Sequence, residues 1–290
     1  MKKNVNLIWI YLFLLPTFVI FMAFYAIPIV TMVLTSFTRW DGYNAPVFNG
    51  LTNYLNLFSQ SAFLISLKNL FFWSAIAAVF HVGYGVLVAF ILYSKPFGWR
   101  FVRSVYMIPN VISAAALAMI YKFIFVDQYG LLNNLVRLAI PDFYINWFYQ
   151  SPYAFWAVTF TWLFYAVIVT LIVMTDLYAV PPTLYESAVI DGATQWDISL
   201  KINLPLCRNA IGTGVILSVT SRISMYVNIA LTTRGGPGQD TTNLTLLQVR
   251  GITDMHYGFA NATSVIMLIL GLLILLVINK AFKMKESVYF

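Results

Sequence analysis

Residues 185–205 read YESAVIDGATQWDISLKINLP. The stretch is charged and turn-rich in a chain that is otherwise mostly apolar, and it separates two hydrophobic runs, 153–177 and 210–232. Pro181-Pro182 ends the first run, because proline offers no N–H to a continuing helix and crowds the preceding turn. Thr183 followed three places later by Glu186 has the form of a capping box, so a short helix is expected to start at Thr183. Gly192 supplies a left-handed stop. Thr194 with Asp197 repeats the signal for a second short helix ending before Pro205. The expectation is helix, glycine corner, helix: a plain connector, or a knob that docks into another protein.

Which of these it is depends on where the stretch lies. Of the 290 residues 61% are hydrophobic, 17% aromatic and 9% charged, whereas soluble domains carry about a quarter charged residues. A bilayer core needs roughly 20 apolar residues of helix. The chain offers runs of that kind near 7–34, 63–93, 104–125, 153–177, 210–232 and 260–282. The fold class expected is therefore an all-α membrane protein, a six-helix bundle forming one domain over 1–290, with the loop 178–209 between spans four and five. The first run is about twice the length of a signal-peptide core and lacks a small-x-small cleavage site, so it reads as a retained helix.

The net charge of +7 comes from Lys and Arg scattered at the ends of apolar runs, which is a topology signal and not a nucleic-acid patch. With the N-terminus inside, ten cations fall on the cytoplasmic side, Lys2, Lys3 and Lys285 among them. Only Arg39, Arg137, Arg234 and Arg250 fall outside. By the positive-inside rule both termini, and the 185–205 stretch, are assigned to the cytoplasm. Cys207 is the only cysteine, so no internal disulfide forms, and an impermeant thiol reagent is expected to reach it from the cytoplasmic side alone.

Several chemistries are excluded. No G-x-x-x-x-G-K-[ST] segment is present, so any ATP chemistry must sit on another chain. The acidic residues lie in loops or near span ends, which leaves no carboxylate relay at depth for proton coupling. His81 and His256 are far apart and show no metal-ligand spacing. No catalytic or metal-binding residues are assigned. One charge does sit deep: Arg222 is about ten residues from either end of the fifth run, some 15 Å along a helix. Gly214, Ser218, Ser221, Met225 and Asn228 form a small, polar stripe around it at helical spacing. Two readings stay open, a packing seam against another helix and a wall of a solute path.

The loop carries a resemblance. Glu186, Ala188, Gly192, Ile202, Leu204 and Pro205 match in spacing the signature Glu-Ala-Ala, three residues, Gly, nine residues, Ile-x-Leu-Pro of binding-protein-dependent ABC importer permeases. Ser187 stands in place of the first alanine of the pair. SFTRWDGY at 36–43, FNGLTNY at 48–54, RFVRSVYMIPNVIS at 100–113, YGLLNN at 129–134 and LTTRGGPG at 231–238 resemble the carbohydrate-importing, maltose-type branch. The resemblance implies a permease subunit that translocates a sugar or oligosaccharide by alternating access and is not itself an enzyme. Its partners would be a second related permease, two ATPase subunits holding ATP and Mg, and an external solute-binding protein, in a bacterial cell membrane. It further implies that Glu186, Ser187, Ala188 and Gly192 meet the ATPase, and that Arg222, Tyr226 and Asn228 are candidates for the solute path. A cation there suggests an anionic solute such as a uronic-acid oligosaccharide, a sugar phosphate or glycerol phosphate. A neutral oligosaccharide is the simpler expectation, and a membrane adaptor or sensor whose loop docks a signalling protein is the alternative from another class.

Overall fold

The computed structural model describes residues 7–284, so Lys2, Lys3 and Lys285 of the charge count lie outside the described residues. Four helices are long and apolar enough to cross a membrane: Trp9–Thr35, Ser61–Tyr93, Tyr153–Ala179 and Tyr257–Ala281. Two bent pairs bring the number to six. Trp99–Val111 joins Ala114–Phe125 at 105°, and Gln195–Leu206 joins Arg208–Ile223 at 69°. In hydrocarbon every backbone N–H and C=O must be satisfied internally, which helices achieve without neighbours.

The backbone divides into two compact units. One holds residues up to Gln60 together with Leu247–Leu268. In it, Thr38–Arg39 pairs antiparallel with Val47–Phe48. Asn53 donates from Nδ2 to the carbonyls of Ser36 and Thr38, both at 2.8 Å, and so closes the chain where the first helix ends.

The second unit, Ser61–Leu246 with the described residues from Ile269 onward, contains the loop and the deep arginine. It has two buried apolar clusters. Val82, Val86, Ala89 and Leu92 pack with Val169, Val173, Leu177, Cys207, Ala210, Val215 and Val219 in the first. Trp73, Ala77, Phe125, Phe148, Val158, Trp162, Met225 and Ile229 form the other. The same three spans serve both clusters, and each changes allegiance at an irregularity. A widened π-turn occupies Ala77–His81, beginning at the midpoint of Ser61–Tyr93. The fourth span is interrupted between Leu163 and Val167. The fifth stops at Ile223 and resumes at Val227.

That last interruption corrects the expectation of one continuous fifth span. Ser224–Tyr226 leaves helical register because residues from farther along the chain take up the freed carbonyls. Thr245 donates from Oγ1 to Ile223 O at 2.5 Å, and Asn243 from Nδ2 to Met225 O at 2.6 Å. Arg222 therefore sits at the end of a helix instead of midway along one. The third span also departs from a straight run: Ile112 is extended (ψ 138°), and the Ser113 hydroxyl accepts from Ala116 N at 3.2 Å to begin a fresh helix.

Cys207 is fully buried. The expected labelling from the cytoplasmic side is not available to it, because its thiol packs against the fourth span, 4.0 Å from Val173 O.

Candidate functional site

The loop holds two arms and one closed corner. Its first helix is Pro182–Ile190 and begins a residue before Thr183. Proline at the first helical position presets the helical backbone and has no N–H to leave unsatisfied, so Thr183 falls inside the helix. No side-chain cap forms there, and Glu186 is exposed on the helix surface instead of capping it. The Glu186 cap is thus corrected.

At the other end the expectation holds. Gly192 has φ +81°. Its N–H donates to Val189 O at 3.0 Å, and that of Ala193 to Ala188 O at 2.9 Å, the two bonds of a Schellman closure. One residue later Thr194 opens the second arm with a reciprocal box. Its hydroxyl accepts from Asp197 N at 3.2 Å, and its own N–H donates to Asp197 Oδ2 at 3.1 Å. Lys201 adds an ion pair at 2.5 Å, and with Thr194 holds the Asp197 carboxyl well below the usual carboxylate range.

The second arm does not end before Pro205. Gln195–Asp197 runs into a widened turn, Ile198–Asn203, and on through Leu204–Leu206. Pro205 falls inside this arm, where the widened turn precedes the residue that lacks an N–H. Tyr185 OH donates to Asn203 Oδ1 at 2.9 Å, bridging the arms, and the Tyr185 ring lies 6.2 Å from that of Tyr93 at the end of the second span. A hollow of about 330 Å³ is lined by Ala188, Asp191, Gly192, Ala193, Asp197, Lys201 and Ile202. Ser187, Leu204 and Pro205 do not line it and are exposed. Ile190 is 86% exposed and Trp196 77%; apolar side chains this open, close to charge, suit contact with another protein. Neither was singled out in the sequence, since one exposed apolar residue in a short helix carries no periodic signal.

The second candidate lies at the level of the three irregularities. Arg222, Tyr226 and Asn228 line one cavity of about 190 Å³, together with Trp162, Tyr165, Ser221 and Met225. A second of about 190 Å³ shares Trp162, Tyr165, Ser221 and Arg222 and adds His81, Asn110 and Ser218. The structure thus gathers the three expected residues and adds Trp162, Tyr165 and His81. The Arg222 guanidinium carbon sits 4.0 Å from the Trp162 ring centre. Nε donates to Ser218 O at 3.3 Å and Ser221 Oγ at 3.2 Å, and Nη2 to Ser221 Oγ at 2.8 Å.

A central cation costs on the order of 3 kcal/mol on insertion scales. The ring face offsets roughly 0.5–2 kcal/mol and the helix C-terminus about 0.3–1 kcal/mol, so the charge is tolerated here without a carboxylate. His81 donates from Nδ1 to Leu163 O at 3.0 Å, which satisfies a carbonyl freed where the fourth span breaks. The seam reading also has its share: Gly214 packs on Val169, and Asn228 Nδ2 donates to Thr161 Oγ1 at 3.1 Å.

Residues 81–284 match the family described as binding-protein-dependent transport system inner membrane component. The chain is 30% identical over 286 residues to the probable ABC transporter permease protein YurN of Bacillus subtilis, covering 97% of this chain and 98% of that one. It is 28% identical to the trehalose/maltose transport system permease protein MalF of Thermococcus litoralis, covering 90% and 89%. Among solved structures, a chain of a bacterial alginate ABC transporter, in complex with a periplasmic protein carrying an alginate pentasaccharide, superposes with a TM-score of 0.82. The two are 20% identical, with 97% of this chain and 96% of that one covered.

Proposed function

Starting from the fact that this chain belongs to the binding-protein-dependent transport system inner membrane components, we propose that it is the permease subunit of an ATP-driven sugar importer and that residues 185–205 are where an ATPase subunit takes hold of it. The observation that carries the reading is the loop, which is closed at its corner by its own backbone and leaves Glu186, Ser187, Ile190 and Trp196 exposed. Small side chains at 187 and 188 permit close approach of a partner, and Glu186, uninvolved in capping, is available to a basic or amide group across the interface. Relatives that carry trehalose and maltose or starch degradation products support a sugar as cargo.

In this reading both termini and the loop face the cytoplasm. ATP and Mg belong to two ATPase subunits, a second, related permease completes the path, and an external binding protein delivers the solute. ATP-driven closure of the ATPases moves the loop, and the packed ends of spans two, four and five carry the movement to the mid-membrane cavities. Breaks in three helices at that depth support a solute path there, since irregular backbone inside a bilayer is tolerated where it lines a cavity.

The test is Glu186→Lys in the assembled importer. Sugar uptake is expected to fall at least tenfold with membrane insertion unchanged. Wild-type uptake in this variant refutes the docking role.

A further inference from the structure

We infer that the cavities around Arg222 recognise a sugar bearing an oxyanion, such as the carboxylate of a uronic acid, so that charge at this point selects the cargo. The inference rests on the proposed sugar-import reading and adds the chemical class of the solute.

The site is rich in donors that lack acceptors. Beyond the bonds from Nε and Nη2, the Arg222 guanidinium has only a sulfur contact, Nη1 to Met225 Sδ at 3.7 Å. Its remaining N–H groups have no oxygen acceptor among the described residues, and no Asp or Glu among them forms an ion pair with it. Trp162, 2% exposed and shared by both cavities, has a buried indole N–H with no partner among the described residues. Buried donors without acceptors are uncommon in native structures, and this one lies on a side chain stacked against the Arg222 guanidinium. Both groups donate and cannot accept. Any oxygen acceptor satisfies a donor; the guanidinium's charge, with no carboxylate paired to it among the described residues, favours an oxygen that is negative.

Geometry narrows the class. The guanidinium carbon is seated over the indole face, and a flat guanidinium binds planar carboxylates through paired N–H bonds. Around it stand the groups a sugar ring uses: the rings of Tyr165 and Tyr226 for its C–H surface, and Ser221 and Asn110 for its hydroxyls. Each cavity, at about 190 Å³, is below the ~300 Å³ lower range of small-ligand pockets, a fit for the charged end of one sugar unit rather than a whole oligosaccharide.

The experiment measures uptake in cells expressing the chain with its natural transport partners. The probes are uronic-acid disaccharides and their neutral methyl esters, with sugar phosphates and the parent sugars as a second pair. The readout is the ratio of charged to neutral uptake within each pair, which does not depend on how much permease reaches the membrane. Wild type is expected to prefer one charged member at least tenfold, and the pair in which this occurs separates carboxylate from phosphate. Arg222→Met should bring the ratio near one, Arg222→Lys should keep part of it, and Trp162→Phe, which keeps a ring but loses the N–H, should lower it several-fold. Import of neutral sugars with no charged preference overturns this inference and leaves sugar import standing. A charged preference that survives Arg222→Met overturns it as well. Uptake of no probe by wild type withdraws sugar import and this inference together.

Discussion

Replacing Gly192 separates backbone strain from bulk at the loop's corner. Its φ of +81° lies in the left-handed region, which costs an ordinary L-residue roughly 1–2 kcal/mol. A Cβ built there meets nothing within 4 Å, so the cost comes from the backbone and not from a clash inside the chain. Because the corner is exposed, the strain is relieved by opening it, which undoes the bonds from Gly192 N and Ala193 N. An energy of about 1–2 kcal/mol lowers the closed-to-open ratio of the corner roughly 5–30-fold. Asn tolerates the left-handed region, Ala less so, and β-branched Val least. The assay is ATP hydrolysis by the reconstituted importer, titrated with the ATPase subunit. Apparent affinity is expected to fall in the order Gly, Asn, Ala, Val, with Asn within a few-fold of wild type and Val weakened by about 5–30-fold. Full affinity in Gly192→Val refutes the role of the corner. Equal damage from Asn and Val shows that side-chain bulk at the interface, not backbone geometry, is what matters.

Orientation is testable at Trp196, which is 77% exposed on the second arm: in a Cys207→Ser background, Trp196→Cys should react with an impermeant maleimide in inside-out vesicles stripped of the ATPase subunits and not in intact cells. Labelling of intact cells would reverse the assigned topology. Gly85→Ala probes the packing of spans two and four, since the added Cβ would sit 2.9 Å from the Cβ atoms of Ala166 and Val169 and disturb the Thr170 Oγ1 bond to Gly85 O at 2.9 Å. Overpacking of this kind costs about 1–3 kcal/mol, so the thermal midpoint in detergent should drop; an unchanged midpoint contradicts the close approach.

What could be read in advance was what is decided within a few residues. The Gly192 stop and the Thr194–Asp197 box are closed by bonds spanning three to five positions, and the sequence displays both partners. Thr183 and Glu186 show the same spacing and fail because Pro182, one place earlier, is already a better first residue of a helix. The six spans follow from length and apolarity alone. The break after Ile223 does not, because the groups that hold it, Asn243 and Thr245, lie some twenty residues farther on and look unremarkable there. Arg222 announced itself as a charge in an apolar run. Trp162 did not, because a tryptophan in a membrane span reads as core or belt until its ring is found beneath a guanidinium with its N–H unanswered.

The hydrogen bond from Tyr185 to Asn203 gives the loop a property beyond stability. Two arms that meet at a closed corner could still fold toward each other like a hinge. A third link between points away from the corner makes a triangle, and a triangle changes its angles only when one of its sides changes length. Here one side is a 2.9 Å hydrogen bond and the other two are helical segments, all stiff over the distances a docked partner would move them. A push on one arm is therefore conveyed to the other as rotation of the whole frame, with little lost in flexing.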